Sequence, residues 1–269
     1  MVYLDPMSKK LLDGAGSHGP LVLMYHSVLS GSSSPDWPWA VSYERFCQQL
    51  DLLVQNGWKT IRVQDLGNSK RYVPKTVVIT FDDGYEDNYK AFEALVARGM
   101  TATWFVVSND IGGGSSWVEP GVGSQSILNK ETLREFLAEG MEVASHTCSH
   151  SRMPQLSNVE LVNELNRSKQ ALEDILGQEI ESFAYPYGAH DERCVQAVRD
   201  ASYKYACTTR TGWALAGGDP LTIRRITVFA NDSLASFARK LAFATNDVGF
   251  VSLARYYGKR VTQRLSGRG

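Results

Sequence analysis

A surplus of charge of either sign is missing from this sequence. Its 28 lysines and arginines face 29 acids, a formal net charge of −1. No broad positive field is therefore available to hold nucleic acid, and that class of partner is set aside. Long apolar runs are also missing. No uninterrupted stretch is long enough to span a bilayer. The segment from Met1 to Pro20 has no apolar core of signal-peptide length. The expectation is a soluble, cytoplasmic protein, although a secreted chain trimmed of its leader would look the same. Cysteine is scarce. Cys47, Cys148, Cys194 and Cys207 form no Cys-x-x-Cys pair, and three of them fall in expected helices or strands. Free thiols are expected rather than disulfides. Histidine is nearly as scarce, with five residues.

What is present is enough apolar material for one large core: 269 residues, 43% of them hydrophobic. Residues 1–245 are expected to form one domain. Beyond Asn246 the pattern dissolves, and the end from Arg255-Tyr256-Tyr257-Gly258-Lys259-Arg260 to Gly269 is basic with no acid. A solvated tail is the expectation, with weak contact to anionic headgroups at a membrane surface as the alternative.

Strands are expected at Leu21 to Tyr25, Trp58 to Val63, Thr76 to Phe81, Thr101 to Val107, Met141 to Ala144, Ile180 to Tyr185, Tyr203 to Thr208 and Leu221 to Val228. Helices alternate with them. Ser42 is placed to cap a helix whose apolar face is Phe46, Leu50, Leu53 and Val54. Further helices are expected over Tyr89 to Arg98, Lys130 to Glu139, Asp191 to Ala201 and Ser233 to Ala244. Ser157-Asn158-Val159-Glu160 reads as a capping box opening a helix to Leu176. Strand–helix alternation points to parallel βαβ units, as a barrel or an open sheet. Either would place its site at the strand C-termini. The Gly/Ser-rich stretch from Asn109 to Ser126, with Trp117, is a candidate substrate-facing lid.

The strand Thr76-Val77-Val78-Ile79-Thr80-Phe81 ends in Asp82-Asp83-Gly84. Two acids at the end of a buried strand are costly unless their charge is compensated. Neighbouring side chains on a strand diverge, so one carboxylate can bind a metal while the other stays free as a base. A plain turn would explain Asp-Asp-Gly alone. The pair His146 and His150, after another strand, adds two imidazoles within reach of one ion. Two nitrogens and an oxygen suit Zn2+, with Co2+, Ni2+ or Fe2+ as substitutes.

Thr80-Phe81-Asp82-Asp83-Gly84, His146-Thr147-Cys148-Ser149-His150 and Phe183-Ala184-Tyr185-Pro186-Tyr187-Gly188 resemble, in order, the first three motifs of the polysaccharide deacetylases, carbohydrate esterase family four. The likeness runs from about Leu21 to Leu241. Met24-Tyr25-His26-Ser27-Val28 and the Ala-Tyr-Pro-Tyr-Gly form resemble the subgroup acting on bacterial exopolysaccharides and related N-acetylated glycans. The resemblance implies a distorted β/α barrel of about seven parallel strands. It implies a metal-dependent hydrolase that removes N-acetyl groups from N-acetylglucosamine-type sugars in a polysaccharide, oligosaccharide or glycolipid. Carried over by motif, Asp83, His146 and His150 are metal ligands, Asp82 is the general base, and the Tyr187 backbone N–H is an oxyanion donor. Trp213 either lines the acetyl pocket or packs in the core.

Two family features are absent. Ala184 stands where many members carry the arginine that orients the base, and no histidine follows His190 to serve as the usual general acid. By strand alternation one of Arg224 and Arg225 points inward. Arg225 is assigned as the substitute, paired with Asp82. His26, at the end of the first strand, is assigned as the acid, with proton return by Asp82 as the rival. His18 and His190 are expected at the surface. Two further readings stay open: hydrolysis of a small non-sugar amide, and a carbohydrate-binding protein with an impaired site.

Overall fold

β-Branched and aromatic runs bounded by glycine turns form the strands, and helices capped by short polar side chains form the connections. The computed structural model describes residues 4–30, 37–67, 73–118 and 125–249. The strands are β1 (Leu21–Tyr25), β2 (Ser27–Leu29), β3 (Ala40–Ser42), β4 (Lys59–Ile61), β5 (Thr76–Phe81), β6 (Thr103–Val106), β7 (Glu142–Ser145), β8 (Ser182–Ala184), β9 (Tyr205–Cys207) and β10 (Ile226–Thr227). The helices are α1 (Pro6–Asp13), α2 (Tyr43–Gln55), α3 (Tyr89–Val96), α4 (Lys130–Ala138), α5 (Asn158–Leu176), α6 (Glu192–Asp200) and α7 (Leu234–Phe243).

The main sheet is parallel throughout, in the order β10-β1-β5-β6-β7-β8-β9, and β4 pairs with the start of β5. It curls into a distorted β/α barrel of seven strands in sequence along the sheet, as expected. Because side chains alternate, each strand has two apolar faces. Val22, Val78, Phe105, Ala144, Ala184, Cys207 and Ile223 form an inner cluster. Leu23, Ile79, Trp104, Val143 and Phe183 belong to a larger cluster shared with the helices.

The expected strand from Leu221 to Val228 is mostly not a strand. Pro220–Thr222 is a 3-10 turn, and regular pairing is confined to Ile226–Thr227. The segment changes neighbours as it runs. Ile223 bridges Cys207 of β9, whereas Ile226 and Thr227 pair with Leu23 and Met24 of β1. It thus spans the gap between the two ends of the sheet and has no full-length partner on either side. Alternation survives the crossing: Ile223 joins the inner cluster and Ile226 the outer one.

Helix caps follow the sequence closely. Ser42 caps α2, and Ser157 with Glu160 forms the capping box of α5, which stops at Gly177 with φ 69°. Val54 is 49% exposed, so it lies off the buried face of α2. Helix α1 was not expected. Asp5 caps it by accepting from the Ser8 N–H, Pro6 opens it, and it packs on α7. No helix among the described residues is long and apolar enough to cross a membrane. The basic tail lies outside the described residues from residue 250 onward.

Candidate active site

The site grows out of the turns that follow β5, β7 and β8 and the crossing segment before β10. Asp82 and Asp83 follow β5, His146 follows β7, and Pro186–Gly188 follows β8. Asp82, Asp83, His146, His150 and Arg225 are all buried.

Asp83 Oδ1 lies 3.2 Å from His150 Nε2 and 3.5 Å from His146 Nε2, and no hydrogen bond completes its shell. His146 Nδ1 lies 2.8 Å from the Ala184 carbonyl oxygen, which can only accept. The proton of the neutral ring therefore sits on Nδ1, and the Nε2 lone pair faces the Asp83 oxygen. Two lone pairs turned on one another inside a protein need a proton or a cation between them. The three donor atoms lie within 4.8 Å of one another, and the group can hold a metal ion. Two imidazoles and a carboxylate suit Zn2+-type cations. The carbonyl behind His146 gives the orienting contact that such ligands commonly have. Burial opposes ionisation of Asp83, yet the imidazoles beside it hold its carboxyl well below the usual range. Burial pushes His150 down, whereas His146, also disfavoured by burial, is raised by Asp83 and Asp82.

The turns that carry the candidate donor group are strained and braced. Asp83, Thr147, His150 and Tyr187 have φ of 74°, 67°, 57° and 58°, four of the seven described non-glycine residues with positive φ. Such conformations cost on the order of 1–3 kcal/mol each and collect at functional sites. Thr147 Oγ1 accepts the His150 N–H at 3.0 Å. Glu164, on α5, accepts the Cys148 N–H at 2.8 Å, the Ser149 N–H at 3.0 Å and the Ser149 hydroxyl at 2.8 Å. The sequence reading missed Glu164. Its only trace there is an acid on the long capped helix after the histidine loop. Cys148 is buried, its Sγ turned to the Glu164 carbonyl and away from the ligand set.

Asp82 and Arg225 form the expected pair, with bonds of 2.6 Å and 2.7 Å to the two carboxylate oxygens. Arg225 also donates to Thr80 Oγ1 at 3.1 Å and to the Thr208 carbonyl at 2.9 Å. Four donor contacts from a guanidinium with 0% exposure leave little of its charge unanswered. Burial works against the Asp82 charge. The Arg225 guanidinium and His146 outweigh it and keep the carboxyl below its ordinary value. Arg224 is half-buried.

His26 follows β1, half-buried between Trp37 and Trp39, at ring distances of 6.1 and 6.2 Å. Its Nδ1 has no partner. Burial pushes its proton affinity down, partly offset by Asp83 and Asp82. Tyr187 presents a ring 46% exposed, 4.5 Å from His150 and covered by Arg152 at 4.0 Å. The bonds of its turn are made by Gly188 and Ala189, which leaves the Tyr187 N–H outside them. Trp117 packs on His150 at 4.8 Å. Tyr85, beside Asp83, is kept neutral by burial and by that carboxylate. These aromatics rim the site, and Trp37, Trp39, Tyr85 and Arg152 were not singled out from sequence. Part of the expected lid, residues 119–124, lies outside the described residues.

One expectation needs correction. His190 is half-buried rather than a surface residue. It stacks on Tyr185 at 4.8 Å, its Nδ1 contacts the Gly188 carbonyl, and its Nε2 is enclosed. The turn after β8 folds it back against the barrel. Of the two readings of Trp213 the core one holds: it is partly buried against the main core cluster, with exposed His18 at 5.4 Å.

The sequence model of the polysaccharide deacetylase family matches residues 69–206, half of the chain. The chain belongs to the polysaccharide deacetylase family. It is 29% identical over 221 residues to the polysaccharide-deacetylase-type protein YxkH of Bacillus subtilis (strain 168), covering 80% of this chain and 74% of that one. To the poly-beta-1,6-N-acetyl-D-glucosamine N-deacetylase of Staphylococcus aureus (strain MSSA476) it is 23% identical over 180 residues, 62% of this chain. It spans 60% of that enzyme's length. The structure of IcaB from Ammonifex degensii superposes with a TM-score of 0.70 at 27% identity, covering 84% of this chain and 97% of that one. In this deacetylase-family chain the matched segment holds Asp82, Asp83, His146 and His150. Arg225 and His26 lie outside it.

Removing one partner of the Asp82–Arg225 pair strands a buried charge. Arg225→Met is expected to lose about 3–5 kcal/mol of stability at neutral pH. The sign follows from linkage. With Arg225 present, Asp82 titrates below its unfolded value, so its stabilisation is complete above about 3.9 and is lost as pH falls through the lowered value. Without Arg225, burial raises Asp82, and the variant loses stability as pH rises above about 3.9. Urea titrations from pH 4 to 7 should show the gap from wild type widening; a constant gap would contradict this.

Proposed function

We propose that this chain is a metal-dependent N-deacetylase acting on N-acetylglucosamine-type sugars in a polysaccharide, oligosaccharide or glycolipid. The observation that carries the reading is one barrel mouth holding both the Asp83–His146–His150 donor group and a separate carboxylate, Asp82, kept ionised by Arg225. When bound, the ion, most simply Zn2+, would acidify a water and polarise the acetamide carbonyl. Asp82 takes the proton of the attacking water as general base. Each of its oxygens has a lone-pair position beyond the one given to Arg225. The Tyr187 N–H donates to the oxygen that becomes negative as water adds to the carbonyl carbon. The C–N bond then breaks, the nitrogen takes a proton, and acetate and a free amine leave. His26 supplies that proton. In the rival route Asp82 returns to the nitrogen the proton it took from the water.

The aromatic rim supports a sugar substrate, since sugar rings have apolar C–H faces that pack on aromatic surfaces. The name of the staphylococcal relative supports the N-acetylglucosamine class. Arg225 supports an active site over an impaired one, because it fills the role left open by Ala184. Acetate release from N-acetylglucosamine oligomers tests the reading. Binding without turnover would instead identify a carbohydrate-binding protein, and turnover of small amides alone would identify the other hydrolase.

Three outcomes are expected. The purified protein should carry about one divalent ion per chain, and chelation should abolish turnover. Asp83→Ala, His146→Ala and His150→Ala should each lose the ion in elemental analysis, and full activity after chelation would refute the assignment. Asp82→Asn should keep the ion while turnover drops by on the order of a hundredfold or more. Ion loss in Asp82→Asn but not in Asp83→Asn would reverse the two roles. His26→Ala should cut turnover, keep the ion and remove the alkaline limb of the rate profile, because a required imidazolium is lost as pH rises. A retained limb with near-normal turnover would hand the proton return to Asp82.

A further inference from the structure

The proposed acid is placed by its backbone. His26 Nδ1 has no partner, so no hydrogen bond at that nitrogen orients the ring. The ladder of β1 ends one residue earlier, where the Asp82 N–H meets the Tyr25 carbonyl at 3.0 Å. On the far side the Ser27 N–H reaches the Trp39 carbonyl at 3.4 Å, a long bond. What holds the His26 peptide comes from the turn after Gly84. Asn88, with 0% exposure, donates from Nδ2 to the His26 carbonyl at 2.7 Å. Asp87 accepts the Ser27 hydroxyl. The two side chains grip consecutive residues, and they follow Asp83 by four and five positions in the chain. The turn itself is fixed by Gly84, where a Cβ would come within 2.9 Å of Val106, and by the Asn88 N–H bond to the Tyr85 carbonyl.

We infer that Asn88, assisted by Asp87 through Ser27, is a positioning residue that sets the His26 ring relative to Asp82 and Asp83. The carboxylates and the clamp on His26 belong to one turn, so their spacing is fixed by seven residues of chain and not by docking between distant elements. This inference rests on the proposed reading of His26 as the acid only in its kinetic consequence. The placement of the ring is testable without it.

The test uses Asn88→Asp, which keeps size and replaces the donor with an oxygen facing the His26 carbonyl, and Ser27→Ala as a milder second variant. Thermal melting verifies folding, and elemental analysis verifies ion content. The His26 ring signal, assigned by its absence in His26→Ala, is followed in long-range 1H–15N spectra. The expected result is a shifted or broadened His26 signal in both variants, larger in Asn88→Asp, with KM nearly unchanged. Turnover should fall roughly ten- to hundredfold in Asn88→Asp, the effect of a misplacement near 1 Å. In the His26→Ala background Asn88→Asp should add little. An unchanged His26 signal in folded Asn88→Asp overturns the inference. Should that variant not fold, an unchanged signal in Ser27→Ala overturns it. A moved signal with full turnover in His26→Ala keeps the positioning role and refutes His26 as the acid.

Discussion

The buried ion pair between Arg225 and Asp82 is the constraint to which the rest of the barrel mouth answers. Charges taken out of water are tolerated only with excellent geometry and nearly complete hydrogen bonding. Arg225 satisfies this with two bonds to Asp82, one to Thr80 on β5 and one to Thr208 after β9. Those partners come from β9 at one end of the sheet and from β5, two strands in from the other end. Arg225, just ahead of β10, thus bridges the seam between β9 and β10 with bonds that the short β10 ladder does not supply. It also helps hold the Asp82 carboxyl below its ordinary value against burial, as the proposed role of general base requires.

Around that pair the chain carries local strain. Four site residues adopt left-handed backbone conformations that a glycine would take without cost. Glycine cannot stand in for Asp83 or His150, whose carboxylate and imidazole form the donor group, nor for Thr147, whose hydroxyl braces the loop. The strain is held by neighbours: Thr147 and Glu164 fix the histidine loop from within and from α5. The site is thus a set of costly turns on a rigid strand frame, each over-determined by bonds that have no direct part in the chemistry.

Much of this was legible in the sequence because it is encoded locally. Strands buried on both faces read as continuous β-branched runs, and the capping box at Ser157 marked its helix to the residue. Asp82, Asp83, His146 and His150 stood out because polar groups at the ends of apolar strands have few structural uses. Arg225 was legible through alternation, although the strand carrying it proved to be a crossing segment with a two-residue ladder. What could not be read is what depends on distant contacts. Glu164 becomes a loop anchor only when α5 lies under the histidine turn. His190 becomes half-buried only when its turn folds onto Tyr185. Trp37 and Trp39 join the rim through the small β2–β3 sheet, whose three-residue strands carry no periodic signal.

The two departures from the family pattern share a location. The base-orienting arginine missing at Ala184 is matched by Arg225, next to β10, and the missing C-terminal histidine is matched, in the proposed mechanism, by His26 after β1. These strands are neighbours, Leu23 facing Ile226, and β1 pairs along its length with β5, which leads into Asp82 and Asp83. In the proposed mechanism three adjacent parallel strands then lead into the base, its orienting cation and the acid, while the candidate imidazole ligands come from the turn after β7. A change that moved β1 against β5 by one residue would send His26 to the opposite face and unpair Asp82 from Arg225 together. The full five-residue register between β1 and β5, buried on both faces, opposes that slip along its whole length. The proposed proton donor and proton acceptor are in this way tied to the longest strand pairing among the described residues.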